Sequence, residues 1–407
     1  MKKLILLSLL LTTFLFAVGE AGAIFLLISP SPTMNGLGGS GTSVPTADIY
    51  SSYFNPAQPL LPNGLSFQSS DMKTDWLPNL ASDLTLEYDI KMIGYNGFSL
   101  LDRYLLQFSI SRSYTYLNLG EQIGMDEFGN PTSNWNSYMS AEAITYSLGI
   151  KSNNFPIYLG IGRTNKKATQ VLSDMVGGTS KDEFYDWGFR VSIDNYTPPD
   201  LKDLGLSYSL GYSKANIGDF ISFVDVSQAD PAPTTARLGM TFGGEVTFYN
   251  NLGIDIRFIR EADEMMIETI IDSSLTNGYE HKYKDGLLGD IDIGKHIIDG
   301  RADKDVTIHK GMEINLFNFY SIRRGKLIDL AGKVEIETEG YGINYGELII
   351  FLSYFFENKS LREMKILQHL NIKYNYSKDI GERGHPRGNI SYDEITVSIK
   401  NIDNLFW

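Results

Sequence analysis

The chain has 407 residues, 43% hydrophobic, 12% aromatic and 21% charged, with a formal net charge of −14 and no cysteine. So many aromatic side chains exclude an intrinsically disordered chain. The acidic balance speaks against a nucleic-acid partner, and the missing cysteine removes disulfides, thiol nucleophiles and thiolate-bound zinc. A mean hydropathy of −0.14 is too low for a bundle of membrane helices, yet it suits a barrel that crosses a bilayer with one face of each strand.

Residues 1–19 read as a secretory signal. Lys2 and Lys3 precede an apolar stretch from Leu4 to Phe16, and Ala17-Val18-Gly19 forms a small-residue cleavage site. That stretch falls short of the roughly 20 residues a spanning helix needs. An exported protein is expected. Residues 20–63 have another character: Ser29-Pro30-Ser31-Pro32, a glycine tract at Gly36, Gly38 and Gly39, and Tyr53-Phe54-Asn55-Pro56-Ala57. The tract lacks the Gly-Lys-Ser/Thr ending of a phosphate-binding loop. It reads instead as tightly folded backbone, packed as a hatch inside a barrel lumen.

From about residue 64 the apolar residues recur with period two. Trp187, Phe189, Val191 and Ile193 alternate with smaller or polar neighbours, as do Leu252, Ile254, Ile256 and Phe258, and Leu370, Ile372, Tyr374 and Tyr376. Successive strand side chains point to opposite faces, so each segment has one apolar and one polar face. A soluble sandwich shows the same alternation, but these segments exceed the roughly five or six residues of ordinary strands and suit a tilted bilayer crossing. Candidate strands lie at 64–73, 83–96, 102–117, 138–151, 156–167, 182–194, 203–216, 235–249, 251–262, 306–320, 326–339, 341–356, 365–377 and 389–400.

The expected fold is all-β, a transmembrane antiparallel barrel of about 14 strands over residues 64–407 in the cell outer membrane. Short turns are expected at 153–155, 197–202, 250–251 and 323–325, and long outer loops at 118–137, 168–181, 217–234 and, longest, 263–305. Tyr114, Tyr116, Tyr354, Phe355 and Phe356 are candidates for an aromatic girdle. Charges such as Arg257, Arg260, Glu335 and Glu337 should face the lumen or lie beyond the bilayer, because a charge in lipid is costly.

The segment Ala21–Ile28, the Gly36–Gly39 stretch, Ala47-Asp48 and the Tyr53–Ala57 box resemble the start of the PorV/PorQ proteins, within the wider FadL-like outer-membrane barrels. The stretch from His309 through Arg323-Arg324-Gly325 to Ile343 resembles their C-terminal hairpins. The resemblance implies either of two functions. A PorV-like protein is a type IX secretion shuttle that binds cargo signal domains and passes them to a surface attachment protein. A FadL-like protein is a passive route for hydrophobic compounds, with the N-terminal segment as its hatch. Leu287, Leu288, Ile291, Ile293, Ile297 and Ile298 in the longest loop are candidate contacts for cargo or substrate, or simply hold that loop in place. Outer-membrane lipid is the remaining expected partner.

No catalytic residue is assigned. His281, His296, His309, His369 and His385 never fall in H-x-x-x-H spacing, and no G-x-S-x-G elbow occurs. Asp290, Asp292, His296 and Asp299 form an acidic stretch of the kind that is usually solvated, so neither metal nor cofactor is expected.

Overall fold

The structure is a computed structural model that describes residues 21–404, except 59–60, 80–83, 127, 129, 174–176, 224–228, 250–251, 272–273, 275–278, 363 and 382–386. The expected signal at 1–19 and the turn at 250–251 lie outside the described residues.

Sixteen strands are formed among the described residues. The first nine are β1 (Gly64–Asp75), β2 (Thr85–Leu100), β3 (Tyr104–Met125), β4 (Pro131–Ser152), β5 (Ile157–Val171), β6 (Thr179–Tyr196), β7 (Leu204–Gly218), β8 (Thr235–Tyr249) and β9 (Leu252–Met265). A separate hairpin follows, β10 (Ile267–Ile271) with β11 (Tyr279–Tyr283), then β12 (Thr307–Leu316), β13 (Tyr320–Asp329), β14 (Val334–Asn344), β15 (Leu370–Ile380) and β16 (Ser391–Ile399). Fourteen of these close an antiparallel barrel in which each strand pairs with its chain neighbour, β9 with β12 across the hairpin, and β1 with β16. Closure leaves no sheet edge, the condition for strands in lipid. No described helix is long and apolar enough to cross a membrane.

The alternation resolves as the sequence suggests. Ile256, Phe258, Val191, Ile372 and Ile395 are exposed on the outer wall, beside Phe108, Leu148, Leu159 and Phe242. Together they form an apolar belt that faces lipid and places the barrel in the outer membrane. The short turns 101–103, 153–156 and 317–319 mark the periplasmic end, where the helical connection that begins at Tyr345 also lies, and the long connections after β7 and β9 mark the outer end. Glu335 and Glu337 do not face the lumen: the alternate residues Ile336 and Thr338 are buried inside, so these carboxylates stand on the outer wall toward its outer rim.

The last third of the chain departs from the expected segmentation. Residues 323–325 lie within β13, and the turn falls at 317–319. The expected strand 326–339 spans the tip between β13 and β14, and the expected strand 341–356 is the end of β14 followed by helix α1 (Tyr345–Phe355). Asn344 caps this helix, accepting from the Glu347 amide through its side chain. Tyr354, Phe355 and Phe356 therefore belong to a helix end and not to a strand girdle. The expected loop 118–137 is largely strand and 168–181 is strand at both ends, because β3 to β6 run far past the lipid belt.

Candidate functional site

Residues 21–58 sit inside the barrel, most of them buried. The glycine tract explains how backbone reaches the wall. Gly38 and Gly39 adopt φ of 73° and 80°, and a Cβ on Gly38 would lie 2.6 Å from the Lys326 amide nitrogen. The facing wall residue is Gly325, where a Cβ would fall 2.0 Å from the Gly38 nitrogen. Only glycine on both sides permits this contact. Gly38 donates its N–H to Thr338 Oγ1 at 3.0 Å, and Gly36 lies against Gly340.

The opposite side is held by the Asn55-Pro56-Ala57 box. Asn55 Nδ2 donates to the carbonyls of Thr42 (2.9 Å) and Phe189 (3.0 Å), while its Oδ1 accepts from the Ala57 amide at 3.0 Å. Ser147 donates to the Pro56 carbonyl and Ser213 to that of Phe54. The remaining anchors come from wall residues that the sequence reading did not single out. Glu261 accepts from the Gly41 amide (2.8 Å), the Thr42 amide (2.7 Å) and the Thr42 hydroxyl (2.7 Å). His309 Nδ1 bonds the Gly38 carbonyl at 2.7 Å, and its Nε2 lies 3.3 Å from Asp263. Their signal in the sequence is a charge at an inward strand position, which needs the register to be recognised.

The segment divides the lumen. On its outer side a cavity of about 250 Å³ is lined by Leu27, Ile28, Tyr53, Phe54, Trp76, Leu327, Ile336 and Tyr392, with Arg237, Asp263, His309, Asp379 and Arg387 among them. Arg237 lies 5.2 Å over the Tyr53 ring and bonds the Tyr53 carbonyl at 3.4 Å, with no carboxylate in ion-pair range among the described residues. On the periplasmic side a cavity of about 260 Å³ is mostly polar, lined by Asp48, Arg257, Glu313, Arg323, Lys373, Asn375 and Glu394. Asp48 is fixed by the Ser31 hydroxyl and the Tyr50 amide, while burial pushes its carboxyl above the ordinary range despite those bonds.

The longest loop does not hang free over the mouth. Residues 284–306 fold down on the outside of the barrel as a flap. Ile291, Ile297 and Val306 pack on Ala236, Leu238, Ala262 and Ile308 of the wall, with Leu288 at the margin. Leu287, Ile293 and Ile298 face away and are exposed. The acidic stretch serves this fold: Asp290 pairs with Lys284 at 2.7 Å, Asp292 accepts from the Lys295 amide, and His296 Nε2 meets Asp303 at 3.0 Å.

No protein-family model matches the sequence, and no curated protein does so. Among solved structures the chain is similar to a deletion mutant of the monoaromatic hydrocarbon channel TodX, with TM-score 0.45, 12% identity, and 91% of this chain and 97% of that chain covered. It is also similar to the monoaromatic hydrocarbon channel CymD (TM-score 0.41, 12% identity, 92% and 97% covered). A third likeness is a Pseudomonas aeruginosa FadL homologue (TM-score 0.38, 10% identity, 90% and 97% covered). TM-scores this low decide nothing about what the lumen carries. From its own geometry, the chain is an outer-membrane barrel of fourteen strands with its N-terminal segment lodged across the lumen.

Proposed function

We propose that the barrel is a passive route for small hydrophobic or amphipathic molecules across the outer membrane, opened by displacement of the N-terminal segment. The observation that carries this reading is the asymmetric lumen. Outside the segment lies a cavity with more apolar than polar lining, in which Arg237 has no carboxylate in ion-pair range among the described residues, and inside it lies a mainly polar cavity. A guest that buries apolar surface gains about 25 cal/mol per Å², while Arg237 offers an orienting charge. Strand pairing is continuous around the barrel, so a guest reaches the periplasm by way of the segment.

The test is uptake of a labelled hydrophobe by cells producing the protein, compared with Ile336→Ser in the outer cavity. Uptake should fall in the variant, while a barrel that merely excludes solutes would show no difference.

One observation favours a second reading. Leu287, Ile293 and Ile298 of the flap face outward, as contacts for exported cargo and a surface attachment protein would need. Deleting the gene separates the two. Lost uptake with unchanged surface proteins supports the passive route, and lost surface proteins with unchanged uptake supports a PorV-like shuttle.

A further inference from the structure

We infer that the outer wall of β9, β12 and β13 binds the phosphorylated headgroup of an outer-leaflet lipid. Five outward rows follow from the strand register, the one nearest the periplasmic turn being Ile254, Leu316 and Tyr320, and the other four bear on the site. Lowest of these four, Ile256, Ile314 and Ile322 stand side by side; Phe258, Met312 and Arg324 come next. Above them Arg260, Lys310 and Lys326 are direct register partners on three adjacent strands. Ala262, Ile308 and Ile328 form the top row, and there the flap covers Ala262 and Ile308. Three of the four outward cations thus occupy the level between lipid belt and flap, where headgroups lie, with Arg324 one row below them.

Three features make this row a site. A groove of about 450 Å³ runs over it, with Lys310, Met312, Arg324 and Lys326 among its walls. Lys310 has no ion pair or side-chain hydrogen bond among the described residues, whereas Arg260 bonds the Ile298 carbonyl of the flap at 2.6 Å and Lys326 pairs with Glu335. Elsewhere on the outer wall Lys73 pairs with Glu87, Arg112 with Glu142 and Lys167 with Glu183, while Arg163 bonds the Asn165 side chain and Lys214 the Gly286 carbonyl of the flap. Glu337 and Glu339 on β14 bound the groove on its far side, which confines an anion to the β9–β13 half. A phosphate there meets charge-assisted donors, and acyl chains descend over Met312, Phe258 and Ile314. That apolar continuation commits the site to a lipid over free phosphate.

The test uses the purified full barrel in detergent and native mass spectrometry with phosphatidic acid, diacylglycerol of the same chains, or inorganic phosphate. The wild type should retain phosphatidic acid at least about tenfold better than diacylglycerol. Lys310→Gln should weaken this several-fold and Lys310→Glu with Lys326→Glu should abolish it, whereas Lys167→Gln should leave it unchanged. Heat-modifiable migration verifies that each variant is folded, and Lys310→Gln alone decides the matter if the double variant is not. Equal retention of diacylglycerol, or full retention by Lys310→Gln, would overturn the site. Displacement of the lipid by equimolar inorganic phosphate would overturn its assignment to a lipid.

Discussion

Above the N-terminal segment, the inward positions of the wall carry Met72, Leu86, Tyr88, Ile90, Leu117 and Phe184, packed around Phe25, Leu26, Ile49 and Tyr50 of the segment. Below it, they carry a chain of directional bonds. Asp255 holds Arg257 (2.6 Å), Arg257 faces Glu313 (3.7 Å), and Arg323 joins Glu313 (2.8 Å) to Asn375 (3.0 Å). Asn375 continues to Glu394 (2.7 Å), whose other oxygen meets Ser70 (3.3 Å), the acceptor of the Tyr50 hydroxyl (2.9 Å). Apolar burial is non-directional and tolerates a guest of variable shape. A network of charges fixes one arrangement and is costly to leave half made. The outer half of the lumen is thus suited to receiving a molecule, and the inner half to holding the segment in register.

This contrast is open to direct attack. Glu261→Ala strips three donors of the segment of their acceptor at once. At about 1–3 kcal/mol for each stranded donor, it should have the largest effect, read as faster hydrogen exchange at the Gly41 and Thr42 amides and as ion conductance in planar bilayers. Arg323→Ala leaves Glu313 buried without its closest partner and should cost about 3–5 kcal/mol, again appearing as conductance. Ile90→Ala in the outer half should cost about 2–4 kcal/mol in the denaturation midpoint while leaving conductance low, because no directional tie is cut. Lys73→Gln removes only an exposed pair with Glu87 and should leave the denaturation midpoint essentially unchanged.

The flap adds a pH prediction. Burial disfavours the Asp303 carboxylate, but Lys295, the Asp305 and Val306 amides and His296 more than offset it and hold the group below the usual range. Lys284 does the same for Asp290. Groups with depressed folded values contribute stability above the ordinary carboxylate value of about 4 and lose it as pH falls through the folded value. Protease cleavage within 284–306 should therefore stay slow at neutral pH and accelerate only in acid below about pH 4.

Much of the barrel was legible because its two faces differ: Trp187 to Ile193 and Leu252 to Phe258 announce their parity unaided. The misread segments share a physical cause. Residues 348–352 within helix α1 are continuously apolar, and such a run fits strand and helix equally well until Asn344 is seen to cap it. The turn at 317–319 uses Phe317 and Asn318 at φ of 53° and 64°, and a phenylalanine there gives no turn signal. In the lumen, the tight backbone of Gly36, Gly38, Gly39 and Asn55 to Ala57 could be read locally. Glu261, His309 and Arg237 could not, since their partners lie 184 to 271 positions away and depend on barrel closure. Which of the six flap residues face the wall was equally hidden, because an irregular loop has no period.

The account turns on movement of the segment, and the cysteine-free chain allows a clean lock. Ser43 of the segment and Thr241 of β8 are both buried, with hydroxyl oxygens 2.8 Å apart, so Ser43→Cys with Thr241→Cys can place a disulfide between hatch and wall. Uptake of a labelled hydrophobe by cells carrying this pair should be near background when oxidised and return to the wild-type rate on reduction. Equal uptake in the oxidised and reduced states would contradict a route through the segment.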